Sequence, residues 1–206
     1  MQYIFLDLEM NQPYKIDPLT KRLLPGEINK IVPQEIIEIG AIKLNEDLEN
    51  IGEFQSFVRP DVYMKLHPKI SDMTKIKIKD LYTGQYFGKV LKSFTDWIGN
   101  ESCIIYVWGR EEKQVLIENI QFHRIRFEYV PWLDSIINLQ KKANEIYRRQ
   151  YGRNDIGLKR MLTHYKIPID IKQHRAINDA IYLSRIFIKM FCRLRYKSIM
   201  KLIQLE

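Results

Sequence analysis

The stretch Tyr3-Ile4-Phe5-Leu6-Asp7-Leu8-Glu9-Met10-Asn11 constrains this chain more than any other, because an apolar run suited to a buried strand carries two carboxylates two residues apart. Side chains at i and i+2 of a strand leave by the same face, so Asp7 and Glu9 converge. Two like charges side by side in a core are costly unless something positive sits between them. A divalent cation meets that need. The alternative is a strand that frays after Leu6 and leaves both acids in water. D-x-E alone is a common pattern and does not choose between the two.

A length of 206 residues suits one well-filled domain spanning 1–206, and a hydrophobic content of 46% is enough to fill its core. The two cysteines, Cys103 and Cys192, fit no metal or disulfide spacing and read as reduced packing residues, which favours a cytoplasmic protein. The N-terminus is acidic where a signal peptide would be apolar, and Ile181–Leu194 is broken by Arg185, Lys189 and Arg193, so no membrane span is expected. The net charge of +8 is unevenly spread: residues 1–120 carry a net −3 and residues 121–206 a net +11. An acidic half able to hold cations, joined to a basic half able to attract a polyanion, suits a nucleic-acid enzyme. Basic solvated helix faces would give the same count.

Residues 12–34 pass through Pro13, Pro18, Pro25, Gly26 and Pro33, too broken for a long helix. Glu35–Leu44 and Gly52–Arg59 read as a hairpin beside the first strand. Between Pro60 and Thr83, short helical pieces are anchored by Ile70, Met73, Ile76, Ile78 and Leu81. Val90, Leu91, Phe94, Trp97 and Ile98 have helical spacing, and Cys103–Trp108 reads as a buried parallel strand. The next helix begins after Gly109 with Leu116 and Ile120 on one stripe; stepping back by four places Glu112 at its head and Glu111 on a neighbouring row. A further strand is expected over Phe127–Leu133, then helices over 135–150, Gly157–Tyr165 and from Ala176 to about Tyr196.

The last helix opens with His174-Arg175-Ala176-Ile177-Asn178-Asp179. Five residues of ideal helix turn through about 500°, so His174 and Asp179 meet only if the histidine sits in the preceding loop. That places a mobile imidazole beside an anchored carboxylate. Histidine titrates near working pH, which suits it to serve as a general base toward water. An incidental solvent-facing histidine ahead of a helix acid is the alternative.

The order of these features resembles the DEDDh, or DnaQ-like, 3′–5′ exonucleases. Asp7-Leu8-Glu9, then Trp108-Gly109 with Glu112 and Leu116, then His174 followed by Asp179 look like the three motifs of that family. Supporting matches are Glu35-Ile36-Ile37-Glu38-Ile39-Gly40-Ala41, Asp72-Met73-Thr74-Lys75-Ile76 and Gly157-Leu158-Lys159, and the resemblance covers residues 2–190. It implies an α/β, ribonuclease H-like fold: a mixed central sheet with its first three strands antiparallel, two further strands, and helices on both faces. It also implies that Asp7, Glu9 and Asp179 hold two divalent ions, Mg²⁺ or Mn²⁺, that His174 deprotonates the attacking water, and that Met10 and Asn11 line the pocket for the terminal nucleotide. Glu112 stands where the family has a metal-linked Asp, and Lys75 replaces a usual glycine.

The expected activity is removal of nucleoside 5′-monophosphates from the 3′ end of single-stranded DNA or RNA. Arg148, Arg149, Arg153, Lys159 and Arg160 are the expected backbone contacts. The alternative is a catalytically silent protein of the same fold that binds nucleic acid or a protein partner, with Glu112 as the mark of its lost activity. A nucleotide-cofactor enzyme is poorly supported, because neither G-x-G-x-x-G nor G-x-x-x-x-G-K-[ST] occurs.

Overall fold

The computed structural model describes residues 1–109, 111–152 and 155–203. The strands are β1 (Gln2–Asn11), β2 (Tyr14–Ile16), β3 (Leu23–Pro25), β4 (Glu35–Leu44), β5 (Asn50–Arg59), β6 (Gln85–Tyr86), β7 (Cys103–Val107) and β8 (Ile136–Asn138). The helices are α1 (Pro68–Thr74), α2 (Ile78–Leu81), α3 (Phe87–Ile98), α4 (Glu112–Phe122), α5 (Leu139–Tyr151), α6 (Leu158–His164) and α7 (Ala176–Ile203). Six strands form one mixed sheet in the order β6-β5-β4-β1-β7-β8, and β2 and β3 form a separate small hairpin. β1, β4 and β5 are antiparallel neighbours, whereas β7 runs parallel to β1 and β8 parallel to β7. Among the described residues, no helix is long and apolar enough to cross a membrane.

β1 is apolar on both faces because both are covered. Ile4, Leu6 and Leu8 enter one core with Leu91 and Phe94 of α3 and Val115, Leu116 and Ile120 of α4. Tyr3 and Phe5 enter a second core with Leu139 of α5, Met161 of α6 and Ile186 and Phe187 of α7. By strand alternation Asp7 and Glu9 share the second face and point toward the start of α7. On α4 the buried positions are Glu112, Val115, Leu116, Asn119 and Ile120, the i, i+3, i+4, i+7, i+8 stripe of an amphipathic helix.

Four sequence expectations are corrected. Phe127–Leu133 forms 3₁₀ turns rather than a strand: Pro131 has no N–H to give a ladder, and Trp132 and Leu133 plug the core from a turn. The strand beside β7 is instead Ile136–Asn138, which delays α5 to Leu139, where the Asn138 side chain accepts the Lys141 N–H at 2.9 Å. α7 continues to Ile203, beyond the expected end near Tyr196. Cys103 is half-buried as a packing residue should be, but Cys192 is exposed. Lys75 takes the left-handed conformation, φ 62°, at the C-cap of α1, so the turn keeps a glycine-like shape with a lysine in it.

Gly40 sets where α7 lies. A Cβ at Gly40 would stand 2.1 Å from the Ile177 nitrogen and 2.2 Å from the Ala176 carbonyl carbon. Only a bare backbone lets the first turn of α7 rest directly on the sheet, and Gly40 is the register partner of Asp7. Gly40→Ala is therefore expected to lower unfolding stability by about 1–3 kcal/mol through overpacking, measured by urea denaturation. A stability equal to the parent's would show that α7 is free to shift.

Candidate active site

Three elements converge at the C-terminal end of β1. β1 supplies Asp7 and Glu9, the first turn of α7 supplies Asp179, and α4 brings Glu112 around the end of the sheet from the opposite layer. Each of Asp7, Glu9 and Asp179 offers a carboxylate oxygen, and these oxygens lie within 4.8 Å of one another. Glu112 stands just outside that trio. Its carboxylate curls over the Cα of Gly109, where a Cβ would meet Oε1 at 2.5 Å and Oε2 at 2.7 Å. It is buried as the helical phase predicts, and Glu111 is exposed.

Among the described residues, Arg175 acts on the cluster as a counter-charge, and it does so at Glu9. Burial first, then the charges of Asp179, Glu9, Glu112 and Glu38, push Asp7 well above the usual carboxylate range. Burial together with Asp179 and Glu38 pushes Glu9 up to about 8, although Arg175 pulls it back. Asp179 is raised by burial against the opposing pull of the His174 N–H, and Glu112 is raised by burial against backbone hydrogen bonds at its helix start. Asp179 Oδ1 and Glu112 Oε2 are buried with no hydrogen-bond partner among the described residues. Buried oxygens left unpaired in this way are suited to an ion or its water.

His174 lies in the loop before α7 in the left-handed conformation, φ 65°. Its backbone N–H donates to Asp179 Oδ2 at 3.0 Å, while its side chain is exposed. The loop is thus pinned to the carboxylate and the ring is left facing solvent. Met10 is half-buried against the α3–α4 core. Asn11 is fully buried, and its amide is spent within the protein: Nδ2 donates to the carbonyls of Tyr63 and Lys65, and Oδ1 accepts the His67 N–H. Its amide ties the 63–67 segment to β1 instead of presenting a free polar group. Lys159 and Arg160 line a polar groove with Gln150, Asp155 and Thr163, beyond α5 and its Arg148. Arg153 and the side chain of Arg149 lie outside the described residues.

Glu38 and Arg175 were given no role from the sequence. Glu38 is fully buried; its carboxylate accepts from Arg175 Nη2 at 2.7 Å and Nε at 3.1 Å, from Gln55 Nε2 at 2.8 Å and from the Ala176 N–H at 3.1 Å. It pairs the arginine and caps α7 at once. The signal was available, since Glu38 is a second lone acid on an apolar strand and Glu9 is its register partner.

The RNase T family model, described as "Exonuclease", matches residues 4–187. The probable 3′-5′ exonuclease KapD of Bacillus subtilis (strain 168) is 27% identical over 154 residues, covering 74% of this chain and 71% of that protein. The 3′-5′ exoribonuclease 1 of Homo sapiens is 28% identical over 175 residues, covering 78% of this chain; the match spans about half of that relative's length, 48%. Among solved structures, the nuclease domain of 3′hExo, described as a DEDDh family member bound to rAMP, superposes with a TM-score of 0.77 at 24% identity, covering 93% of this chain and 92% of that one. A 3′-exonuclease described as recognising the histone mRNA stem-loop gives the same TM-score at 22% identity, with 93% of this chain and 82% of that one covered. The sheet order and helix placement are therefore shared with these exonuclease structures, and the chain belongs to the RNase T exonuclease family.

Proposed function

We propose that the protein is a metal-dependent 3′–5′ exonuclease that removes nucleoside 5′-monophosphates from the 3′ end of a single-stranded nucleic acid. The observation that carries this reading is the convergence of Asp7, Glu9 and Asp179 within 4.8 Å. These three carboxylates hold two ions, Mg²⁺ or Mn²⁺, and Glu112 supports them directly or through water. The donor set fits, because carboxylate oxygens are the hard ligands such ions take, and Asp179 Oδ1 within the trio is buried and unpaired among the described residues. When bound, the ions polarise the scissile phosphate and stabilise charge on the attacking and leaving oxygens.

His174 takes a proton from the attacking water as the water oxygen bonds to phosphorus. The bond from phosphorus to the 3′ oxygen of the preceding nucleotide breaks, that oxygen gains a proton, and the strand is one nucleotide shorter. The exposed histidine on a loop tied to Asp179 supports this role. Met10 lines the space for the terminal nucleotide, and Asn11 fixes it by tying the 63–67 segment to β1. Arg148, Lys159 and Arg160 supply contacts to the strand backbone, through charge rather than sequence. The name 3′-5′ exoribonuclease 1 borne by two relatives supports RNA as the substrate of this chain. Digestion of matched end-labelled RNA and DNA strands with Mg²⁺ or Mn²⁺ tests both points, and failure to cleave either would favour the silent binder.

His174→Ala is expected to lower kcat by about 10²–10⁴-fold, the usual contribution of a general base. Strand affinity and stabilisation by Mn²⁺ should stay at the parent's level. If the substitution weakens Mn²⁺ binding, the histidine is a ligand and not a base.

Glu112→Asp should keep most of the activity, while Glu112→Ala should lose at least tenfold in kcat. Mn²⁺ should support faster cleavage than Mg²⁺, since Mg²⁺ demands near-ideal octahedral geometry and an altered carboxylate reach is felt most with it. Equal rates for the parent and Glu112→Ala with either ion would make Glu112 a bystander.

The metal-free protein should be least stable at high pH. Glu9 binds its proton more tightly when folded, at about 8, than at its ordinary value of 4.5. Between those values the folded state holds more protons than the unfolded one, so stability falls as pH rises. Thermal melts in EDTA should show Tm declining from the acid to the alkaline end of that window, and Mn²⁺ should raise Tm more at pH 8 than at pH 5 because fewer protons compete. A Tm in EDTA that is flat across the window would show that these acids are not held out of water.

A further inference from the structure

We propose that Arg59, Tyr82 and Tyr86 form a stacking platform for the bases of the single strand that lie upstream of its cleaved 3′ end; this rests on the nucleic-acid reading of the site above. The sheet register links the two places. Glu9 pairs with Glu38, and Glu38 pairs with Phe57, so the row that starts at the carboxylate cluster crosses two strand spacings, about 10 Å, to reach β5. Arg59 lies two residues further along β5, opposite Tyr86 on β6.

All of these groups occupy the face that carries the site. The Arg175 guanidinium, next in sequence to His174, lies 5.2 Å from the Phe57 ring centroid, which puts Phe57 on the α7 side of the sheet. Val58 points the other way, into the α3–α4 core, so Arg59 shares the face of Phe57. The strip from the cluster outward therefore reads Arg175, Phe57, Arg59, then the two tyrosines. A strand of a few nucleotides would span it.

The tyrosines are arranged as stacking surfaces and not as core. The Arg59 guanidinium sits 5.1 Å from the Tyr82 ring centroid and 5.2 Å from that of Tyr86, a cation–π contact with each ring. Tyr82 is 40% exposed and Tyr86 48% exposed, so each keeps ring surface open to solvent. The anchoring of α2 is done by Leu81, fully buried beside Ile37 and Ile76. A guanidinium between open aromatic rings, next to a site for a 3′ end, combines the two features that single-strand binding uses: a positive charge along the backbone and rings on which any base stacks.

The test is fluorescence anisotropy with 5′-labelled RNA and DNA strands of about two, four, six and eight nucleotides, in Ca²⁺ to slow cleavage. The parent should gain affinity steeply beyond the shortest strand. Tyr82→Ala/Tyr86→Ala should lose about tenfold or more of that gain, with a thermal melt matching the parent's. Tyr129→Ala, which removes an exposed tyrosine paired with Arg126 on the α3 side of the molecule, should keep the whole gain. A double variant whose affinity grows with length as the parent's does would overturn the platform while leaving the exonuclease reading in place. A parent that binds no strand of any length would overturn both.

Discussion

The close approach of α7 to the sheet at Gly40 is the contact on which the site depends. With no side chain at that position, the backbone of Ala176 and Ile177 rests on the strand next to β1. Glu38, two residues earlier, then reaches the Ala176 N–H and the Arg175 guanidinium. One glycine and one glutamate on β4 thus fix both the height and the start of α7. Asp179 follows within the first turn and so arrives beside Asp7 with no long side chain needed to bridge a gap. The order β5-β4-β1 is what makes this economical, because the strand that seats the helix is also the one that borders β1.

Two kinds of buried carboxylate stand side by side on that face, and the contrast between them separates scaffold from site. Glu38 has a guanidinium, an amide and a helix N-terminus, so its charge is fully answered. Glu35 is similar, with backbone N–H groups of Asp61, Val62 and Tyr63 donating at 2.7, 2.9 and 2.7 Å. Asp7 and Glu9 are raised by burial first and then by neighbours of their own sign, with Arg175 easing Glu9. Among the described residues, Glu38 and Glu35 are met by donors of the chain itself, whereas Asp7, Glu9 and Asp179 face one another, the arrangement expected where a cation is to be held.

The sheet and the site were legible in the sequence for the same reason: β1 had to be buried on both faces and still carried two acids. The hairpin, the parallel strand at Cys103–Val107 and the inward phase of Glu112 all followed from periodicity, and the structure agrees with each. The region after α4 was misread because an apolar, aromatic run satisfies strand and turn equally until Pro131 removes a donor. β8, only three residues long, owes its existence to an open edge on β7 and not to its own pattern. The excursion through residues 12–34 was read correctly as proline-broken, but its β2–β3 hairpin has only three residue pairs and no strong turn dipeptide to announce it. The role of Glu38 was hidden because its partner, Arg175, lies 137 residues away.

Lys75 and Glu112 both depart from the family pattern, and they differ in what the departure asks of the fold. At Lys75 the backbone keeps the left-handed turn that a glycine would adopt freely, and the residue absorbs a strain of about 1–2 kcal/mol without touching the site. At Glu112 the backbone is undisturbed and the difference lies in the side chain. Its extra methylene lets the carboxylate fold back over Gly109, a position where any Cβ would collide with both oxygens. The bare glycine leaves room for the longer acid beside its own helix start. From there its charge already raises the pKa of Asp7. A longer acid with room to withdraw keeps a negative charge at the edge of the cluster without adding a fourth carboxylate to its centre, where three already repel one another.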